Sequence, residues 1–279
     1  MGDIINGKAH ATNIHEEVKT RLARIEGKPH LAVVLVGENP ASKVYVGMKQ
    51  KACEEVGIDF SLHSLPEGAT QREVLTTIDR LNISSQVTGI LVQQPLPPHI
   101  DKHSCVSKIN PNKDVDCLHP YNVGLLMAGK GNVSPATPTG IITLLDREGI
   151  SLEGKHVVIV GRSEIVGKPL AFMMLERNAT VTICHSHTQN LAEICRTADV
   201  LIVAIGKAGF ITPEHVKDGA IVIDVGVNRL ESGKVVGDVD FEAVLDKVSY
   251  ITPVPKGVGP MTVATLLENC LKAWELCYE

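Results

Sequence analysis

The chain has 279 residues, 44% of them hydrophobic and 21% charged, with a net charge of −5, which is length for about two domains that each bury a core. Charges of both signs are scattered and only 3% of residues are aromatic, so no nucleic-acid groove, base-stacking platform or basic membrane-facing surface is indicated. Seven cysteines without a C-x-x-C pair give neither a disulfide framework nor a zinc site, and no apolar run approaches the ~18 residues of a membrane span; a soluble, cytoplasmic protein is expected.

Ile14, Val18, Leu22 and Ile25 recur at helical spacing and predict an amphipathic helix over about residues 10 to 26. HLAVVLVG reads as a buried strand and GENPAS as a turn. Ser42 is placed to cap a helix carrying Val44, Met48, Lys51, Ala52 and Glu55, which Gly57 closes. IDFSLHSL, TQREVLTTIDRLN and VTGILVQ add strand, helix and strand, the alternation of a parallel sheet. From Gln93 to Gly140 the prolines of QQPLPPH, INPNKDVDCLHP and SPATPTG leave few regular elements expected. Irregular segments beyond strand ends are where sites are usually built.

A helix at IITLLDREG leads into HVVIVGRSEIVGKPL, residues 156–170. Val157 to Val160 suit a strand buried on both faces. Gly161 can take positive φ, Gly167 allows backbone to approach a ligand closely, and Pro169 is tolerated in a first helical turn. Such a strand–loop–helix offers free N–H groups and a positive dipole end to a pyrophosphate. It departs from G-x-G-x-x-G, because Ser163 stands at the second glycine and Gly167 comes one residue late; taken alone it is a weak signal, with a strand–turn–helix without a ligand as the rival reading. LAFMMLERN, TVTICHS, LAEICR, DVLIVAIG, AIVIDVG and a short strand near SYITPV continue the alternation of a doubly wound nucleotide domain. Met261 to Cys277 form a last helix, expected to return to the first domain.

Tyr45 and Lys49 lie four apart on one helix face. A desolvated lysine becomes a neutral amine available as a base near pH 7, whereas an ordinary helical lysine snorkels to solvent. Asp114 and Asp116 can accept hydrogen bonds from a substrate's amino edge or simply stabilise a turn, and Gln93, at a strand end, can donate and accept in the same place or satisfy loop backbone. His185 and His187 have metal-compatible spacing but no further ligand set nearby. Cys117 reads as an inert thiol. An NAD-selective site usually carries Asp or Glu some 20 residues past the first glycine; ICHSHT has none. Arg162, Ser186 and His187 could instead receive a 2′-phosphate, which favours NADP over NAD.

With these residues placed, NPASKVYVGMK, GILVQQPLP, NPNKDVD, TPTG, GRSEIVGKP, ATVTICHSHT, IDVGVN, GDVDF and ITPVPKGVGPMT occur in the order of one family. The chain resembles the bacterial bifunctional methylenetetrahydrofolate dehydrogenase/methenyltetrahydrofolate cyclohydrolases over nearly its whole length. The resemblance implies an α/β fold of two domains with a cleft between them. A catalytic folate domain would take residues 1–138 plus 260–279, and a Rossmann-type doubly wound parallel-sheet NADP domain residues 139–259. It gives Lys49 the central catalytic role, with Gln93 bonded to it, Tyr45 stacked beneath the pterin and Asp116 on the pterin edge. Gly161, Arg162, Ser163, Ile165, Ser186, His187 and Val227 would bind the cofactor. Pro255, Gly259 and Pro260 would contact substrate from a cleft-closing loop that also holds Pro253 and Gly257. The implied partners are tetrahydrofolate derivatives and a second copy of the chain, with neither nucleic acid nor membrane. Ala136, Cys117, Leu118, His187 and Lys256 depart from the family's usual residues. A monofunctional dehydrogenase and a non-catalytic dinucleotide sensor are the rival readings; the presence of Lys49 opposes the first, and of Lys49 with Asp116 the second.

Overall fold

The computed structural model describes residues 2–278. The chain runs through β1 (Asp3–Ile4), α1 (Gly7–Leu22), β2 (His30–Val36), α2 (Pro40–Val56), β3 (Asp59–Leu65), α3 (Gln71–Ile83) and β4 (Gly89–Val92). It continues with α4 (Lys102–Lys108), a 3-10 turn at Pro111–Lys113, α5 (Pro120–Met127), α6 (Ala136–Arg147), β5 (His156–Val160) and α7 (Gly167–Leu175). Then follow β6 (Thr180–Cys184), α8 (Leu191–Cys195), β7 (Val200–Val203), a 3-10 turn at Pro213–His215, β8 (Ile221–Asp224) and β9 (Asn228–Arg229). The last elements are β10 (Val235–Val236), α9 (Phe241–Val244), β11 (Tyr250–Ile251) and α10 (Val258–Tyr278). These form two compact units: residues up to Ala11 with Thr137–Thr262, and Thr12–Ala136 with the residues from Val263 on. We call them the cradle unit and the lysine unit.

In the lysine unit a three-stranded parallel sheet has the order β3-β2-β4. Its central strand HLAVVLV is apolar on both faces because both faces are covered. Ala32, Val34 and Val36 pack with Val74, Ile78 and Leu81 of α3 and with Ile90 and Val92 of β4; truncating a side chain such as Ile78 there costs about 2–5 kcal/mol. A reciprocal Thr70–Glu73 capping box starts α3.

Two local expectations are corrected here. Asn39, not Ser42, caps α2: its side chain accepts from the Ser42 amide, Pro40 occupies the first turn, and the buried Ser42 hydroxyl donates to the Gln94 carbonyl at 3.3 Å. The proline-dense segment, expected to be irregular, contains α4 and α5. Asp101 caps α4 by accepting from the His103 and Ser104 amides, and His119 followed by Pro120 starts α5. Helices this short carry too few turns for hydrophobic periodicity to reveal them.

The cradle unit holds a six-stranded sheet in the order β1-β11-β8-β7-β5-β6, with every neighbouring pair parallel. Val158, Val160, Leu201, Val203, Val222 and Ile251 form its core. Because β1 pairs with β11, Asp3 to Tyr250 and Ile4 to Ile251, the first eleven residues cluster with this sheet, whereas the division at 138 and 260 places them with the folate domain. The short antiparallel β9–β10 ribbon was not anticipated, its strands being two residues each. Among the described residues, no helix is long and apolar enough to cross a membrane.

Candidate active site

In the lysine unit, Lys49 projects from α2 and its Nζ donates to Oε1 of Gln93 at 2.8 Å. Gln93 lies just past β4, is itself buried, and is fixed at its other end by donating Nε2 to the Gln94 carbonyl at 2.6 Å. With that amide committed, its oxygen is the atom left to face the lysine. Burial holds the Lys49 amine below its ordinary range, and the opposing pull of Asp116 and of Cys53 only partly offsets it. Burial pushes the Asp116 carboxyl up, against the attraction of Lys49.

The two aspartates of NKDVD divide their work. Asp114 is 1% exposed, and its carboxylate accepts from the Leu118 and His119 amides and from Nδ2 of Asn122, so it stabilises the turn. Asp116 makes no hydrogen bond to any described residue, which leaves its oxygens for a ligand. The Cys117 thiol beside it is buried and pushed up to about 12, mainly by desolvation, and so is unreactive near neutral pH.

The exposed side of α2 is unusual. Val44, Tyr45 and Met48 are 61%, 41% and 44% exposed, and their spacing puts them on one face beside Lys49. An apolar, partly aromatic surface next to an amine suits a flat heterocycle.

In the cradle unit the loop from Gly161 to Gly167 joins β5 to α7. A Cβ on Gly167 would collide with the Gly161 carbonyl, and one on Gly161, at φ 132°, with the Ala204 carbonyl. Gly167, expected to let backbone approach a ligand, is demanded by the loop's own folding. Ser163 organises the turn, its hydroxyl accepting from the Val166 amide and its carbonyl from the Lys168 amide. Arg162 and Ser186 are exposed, and their side chains make no hydrogen bond within the described residues. His187 stands edge-on to His185 at 6.0 Å between ring centres. Ile165 and Val227 present apolar side chains that are about half exposed, at 49% and 52%. A glycine-tight loop at a helix start, free cationic and hydroxyl groups and apolar side chains fit a dinucleotide with a 2′-phosphate. Among the described residues no group of His, Cys, Asp and Glu is arranged to hold a metal ion.

Pro255 is exposed and precedes Lys256, whose φ is +86°, while Gly259 and Pro260 form the first turn of α10. Gly257 is pinned, since a Cβ on Gly7 would strike its carbonyl, and the Lys256 carbonyl accepts from the Lys8 amide.

In IDVGVN and GDVDF, where Val227 alone was expected to act, two aspartates hold the loops together. Asp224 accepts from the amides of Gly226, Asp238 and Val239. Asp238 accepts from Ile205, Gly206 and Lys207 and from Nδ2 of Asn228. Gly226 and Gly237 must lack side chains, because a Cβ on the first would overlap the Asp238 carboxylate and on the second that of Asp224. An aspartate ending an apolar strand just before a glycine is the signal that could have revealed this clamp. Burial pushes Asp224 up to about 6 despite those three amides.

The cradle unit thus has the build of a nicotinamide-dependent dehydrogenase, and the lysine unit adds to it a desolvated amine and a desolvated carboxyl. Residues 135–278 match the NAD(P)-binding domain of tetrahydrofolate dehydrogenase/cyclohydrolase, and residues 5–116 match the catalytic domain. The bifunctional protein FolD of Acetivibrio thermocellus is 50% identical over 276 residues, covering 98% of this chain and 97% of that protein. Two crystal structures are similar throughout. The bifunctional FolD enzyme of Campylobacter jejuni has a TM-score of 0.96 at 50% identity, covering 99% of this chain and 100% of that one. The Trypanosoma brucei enzyme, complexed with NADP and an inhibitor, has a TM-score of 0.96 at 38% identity, covering 100% and 99%. The chain belongs to the tetrahydrofolate dehydrogenase/cyclohydrolase family: it is an enzyme of the bifunctional FolD type, oxidoreductase and hydrolase, with NADP as its cofactor.

Proposed function

We propose that the chain oxidises 5,10-methylenetetrahydrofolate and hydrolyses the methenyl product to 10-formyltetrahydrofolate with the residues described above. The observation that carries the assignment of roles is the part-buried amine of Lys49, held at 2.8 Å by Gln93 and attracted by a carboxylate, that of Asp116, which makes no hydrogen bond among the described residues. NADP, when bound, supplies the acceptor for the substrate's hydride. Gly161, Ser163 and the start of α7 would hold its pyrophosphate, Arg162, Ser186 and His187 its 2′-phosphate, and Ile165 and Val227 its apolar faces.

In the lysine unit Tyr45, with Val44 and Met48, offers the surface on which the pterin lies, and Asp116 accepts from its N–H edge. Water adding to the methenyl carbon must lose both of its protons, one on addition and one as the formyl carbonyl forms, and the ring nitrogen must gain one as the carbon–nitrogen bond breaks, so that one proton is released overall. A lysine that is neutral part of the time can take a proton from the water and return one to the nitrogen. Gln93 Oε1 aims its lone pair by holding one N–H. The cationic substrate further disfavours the ammonium form. We also propose that the enzyme is cytoplasmic and works as a homodimer; sedimentation at working concentration tests the latter, and a monomer would refute it.

The test follows reduced cofactor formation from methylenetetrahydrofolate with NADP and NAD in parallel. NADP is expected to be clearly preferred, and Arg162→Ala to weaken NADP about tenfold to a hundredfold while leaving NAD nearly unchanged, as befits one charge-assisted contact. Equal kcat/KM for the two cofactors would refute the 2′-phosphate assignment. Hydrolysis of the methenyl product no faster than in buffer would leave a monofunctional dehydrogenase.

A further inference from the structure

Asp116 makes no hydrogen bond among the described residues, so the backbone must aim it. The peptide that joins it to Val115 is the one that matters, because a planar peptide whose carbonyl is fixed sets the direction in which the next residue departs. That carbonyl accepts from Nδ2 of Asn269 at 2.9 Å, and the same nitrogen donates to the Ser134 carbonyl at 2.8 Å. Asn269 sits in α10 with no exposed surface, among the equally buried Leu266, Leu267, Cys270 and Leu271. A buried amide at such a helix position is costly unless it is hydrogen-bonded, and an apolar residue would serve packing better. Both of its donor hydrogens go to the two loop segments, while its Oδ1 has no partner among the described residues. The donors are what the position uses.

The flanks of Asp116 are clamped as well. Val115 is fully buried, and its side chain lies against Gly89 of β4 closely enough that a Cβ there would come within 2.6 Å of it. Asp114 ties the amides of Leu118 and His119. Cys117 is held at φ +53°, a conformation that persists only where the surroundings over-determine it.

We propose that Asn269 is a positioning residue for folate binding, acting through the Val115–Asp116 peptide to aim the Asp116 carboxylate. This rests on the reading of Asp116 as the pterin contact. Asn269→Leu, which conserves volume, and Asn269→Ala remove the donor in two ways, and Thr265→Val, one turn earlier, removes a buried hydroxyl that has no partner among the described residues. The folded Asn269 variants are expected to raise the folate KM about tenfold in both reactions, the scale of a lost hydrogen bond, with kcat and the NADP KM within twofold of wild type. Thr265→Val is expected to change none of these. In an Asp116→Ala background the Asn269 substitution is expected to add nothing further. An unchanged folate KM in a folded Asn269 variant would overturn the proposal, as would an equal rise in the Asp116→Ala background. Failure of both Asn269 variants to fold, with Thr265→Val folded, would make Asn269 a tether of α10 alone and overturn it too. If Asp116→Ala itself leaves the folate KM unchanged, the pterin assignment falls first and takes the proposal with it.

Discussion

The two units treat their buried acids in opposite ways. In the cradle unit Asp224 and Asp238 are surrounded by backbone donors, and their charge is consumed in fixing the loops after β7 and β8. In the lysine unit Asp116 has no donor among the described residues and Lys49 has one amide to lean on; burial displaces both from their ordinary ranges, as it does Asp224, but only Asp224 is also met by amides. A saturated charge is architecture. An unsaturated one is held ready for a ligand, at a cost in stability that the rest of the fold must offset.

The sharpest way to break that contrast is Lys49→Met. Cyclohydrolase activity is expected to fall about 10²-fold or more, the scale of losing a general acid–base group, and dehydrogenase activity less, while thermal stability holds or rises because a desolvated amine has been removed. Near-wild-type methenyl hydrolysis by the folded variant, measured against the spontaneous rate in the same buffer, would take Lys49 out of the mechanism.

Asp238→Ala should do the reverse. It strands the amides of Ile205, Gly206 and Lys207, so a loss on the order of 3 kcal/mol is expected in denaturant unfolding; an unchanged midpoint would mean that those amides find other partners.

Asp224 offers a pH test of the same idea. Its carboxyl is pushed up to about 6 in the fold, against ~3.9 in an unfolded chain. Between those values the native state keeps a proton that the unfolded state has released, so this group's contribution is fully present below about pH 4 and is lost as pH rises through about 6. The stability of wild type relative to Asp224→Asn should therefore grow on going from pH 7 to pH 5. A pH-independent difference between the two proteins would show that the three amides cancel the cost of burial.

The smallest effect is expected at Lys256. Its φ of +86° is strained for any residue with a Cβ, and Lys256→Gly should stabilise by up to about 1 kcal/mol, less whatever the added freedom of the unfolded chain removes. A clear fall in melting temperature would mean that the lysine side chain makes contacts outweighing the strain.

The long alternations of the chain were legible because buried parallel strands read as unbroken apolar runs, as at HVVIV and HLAVVLV. Lys49 and Gln93 were singled out from a helical spacing and a strand end. Their bond, 44 residues apart in sequence, lies beyond the reach of any local pattern. Ser42 misled because several residues of ENPAS can cap, and proline at the first helical position, not side-chain type, decided for Asn39. Asp114 and Asp116 could not be separated by sequence, since only the fold says which carboxylate meets amides. Asn269 carried a faint signal, a lone carboxamide on the apolar face of a long helix, that hydrophobic periodicity passes over.

The interlock of Asp224 with Gly237 and of Asp238 with Gly226 bears on how this enzyme can be altered. Each aspartate occupies the space that a side chain on the other's glycine would need, so no member of the quartet can be exchanged alone without either a collision or stranded amides. A library that randomises these positions one at a time will return inactive clones and wrongly mark the region as part of the chemistry; productive variation would require two codons to change together. If the proposed 2′-phosphate site is correct, directed evolution toward another cofactor has its accessible routes at Arg162, Ser186 and His187, whose exposed side chains can be swapped singly.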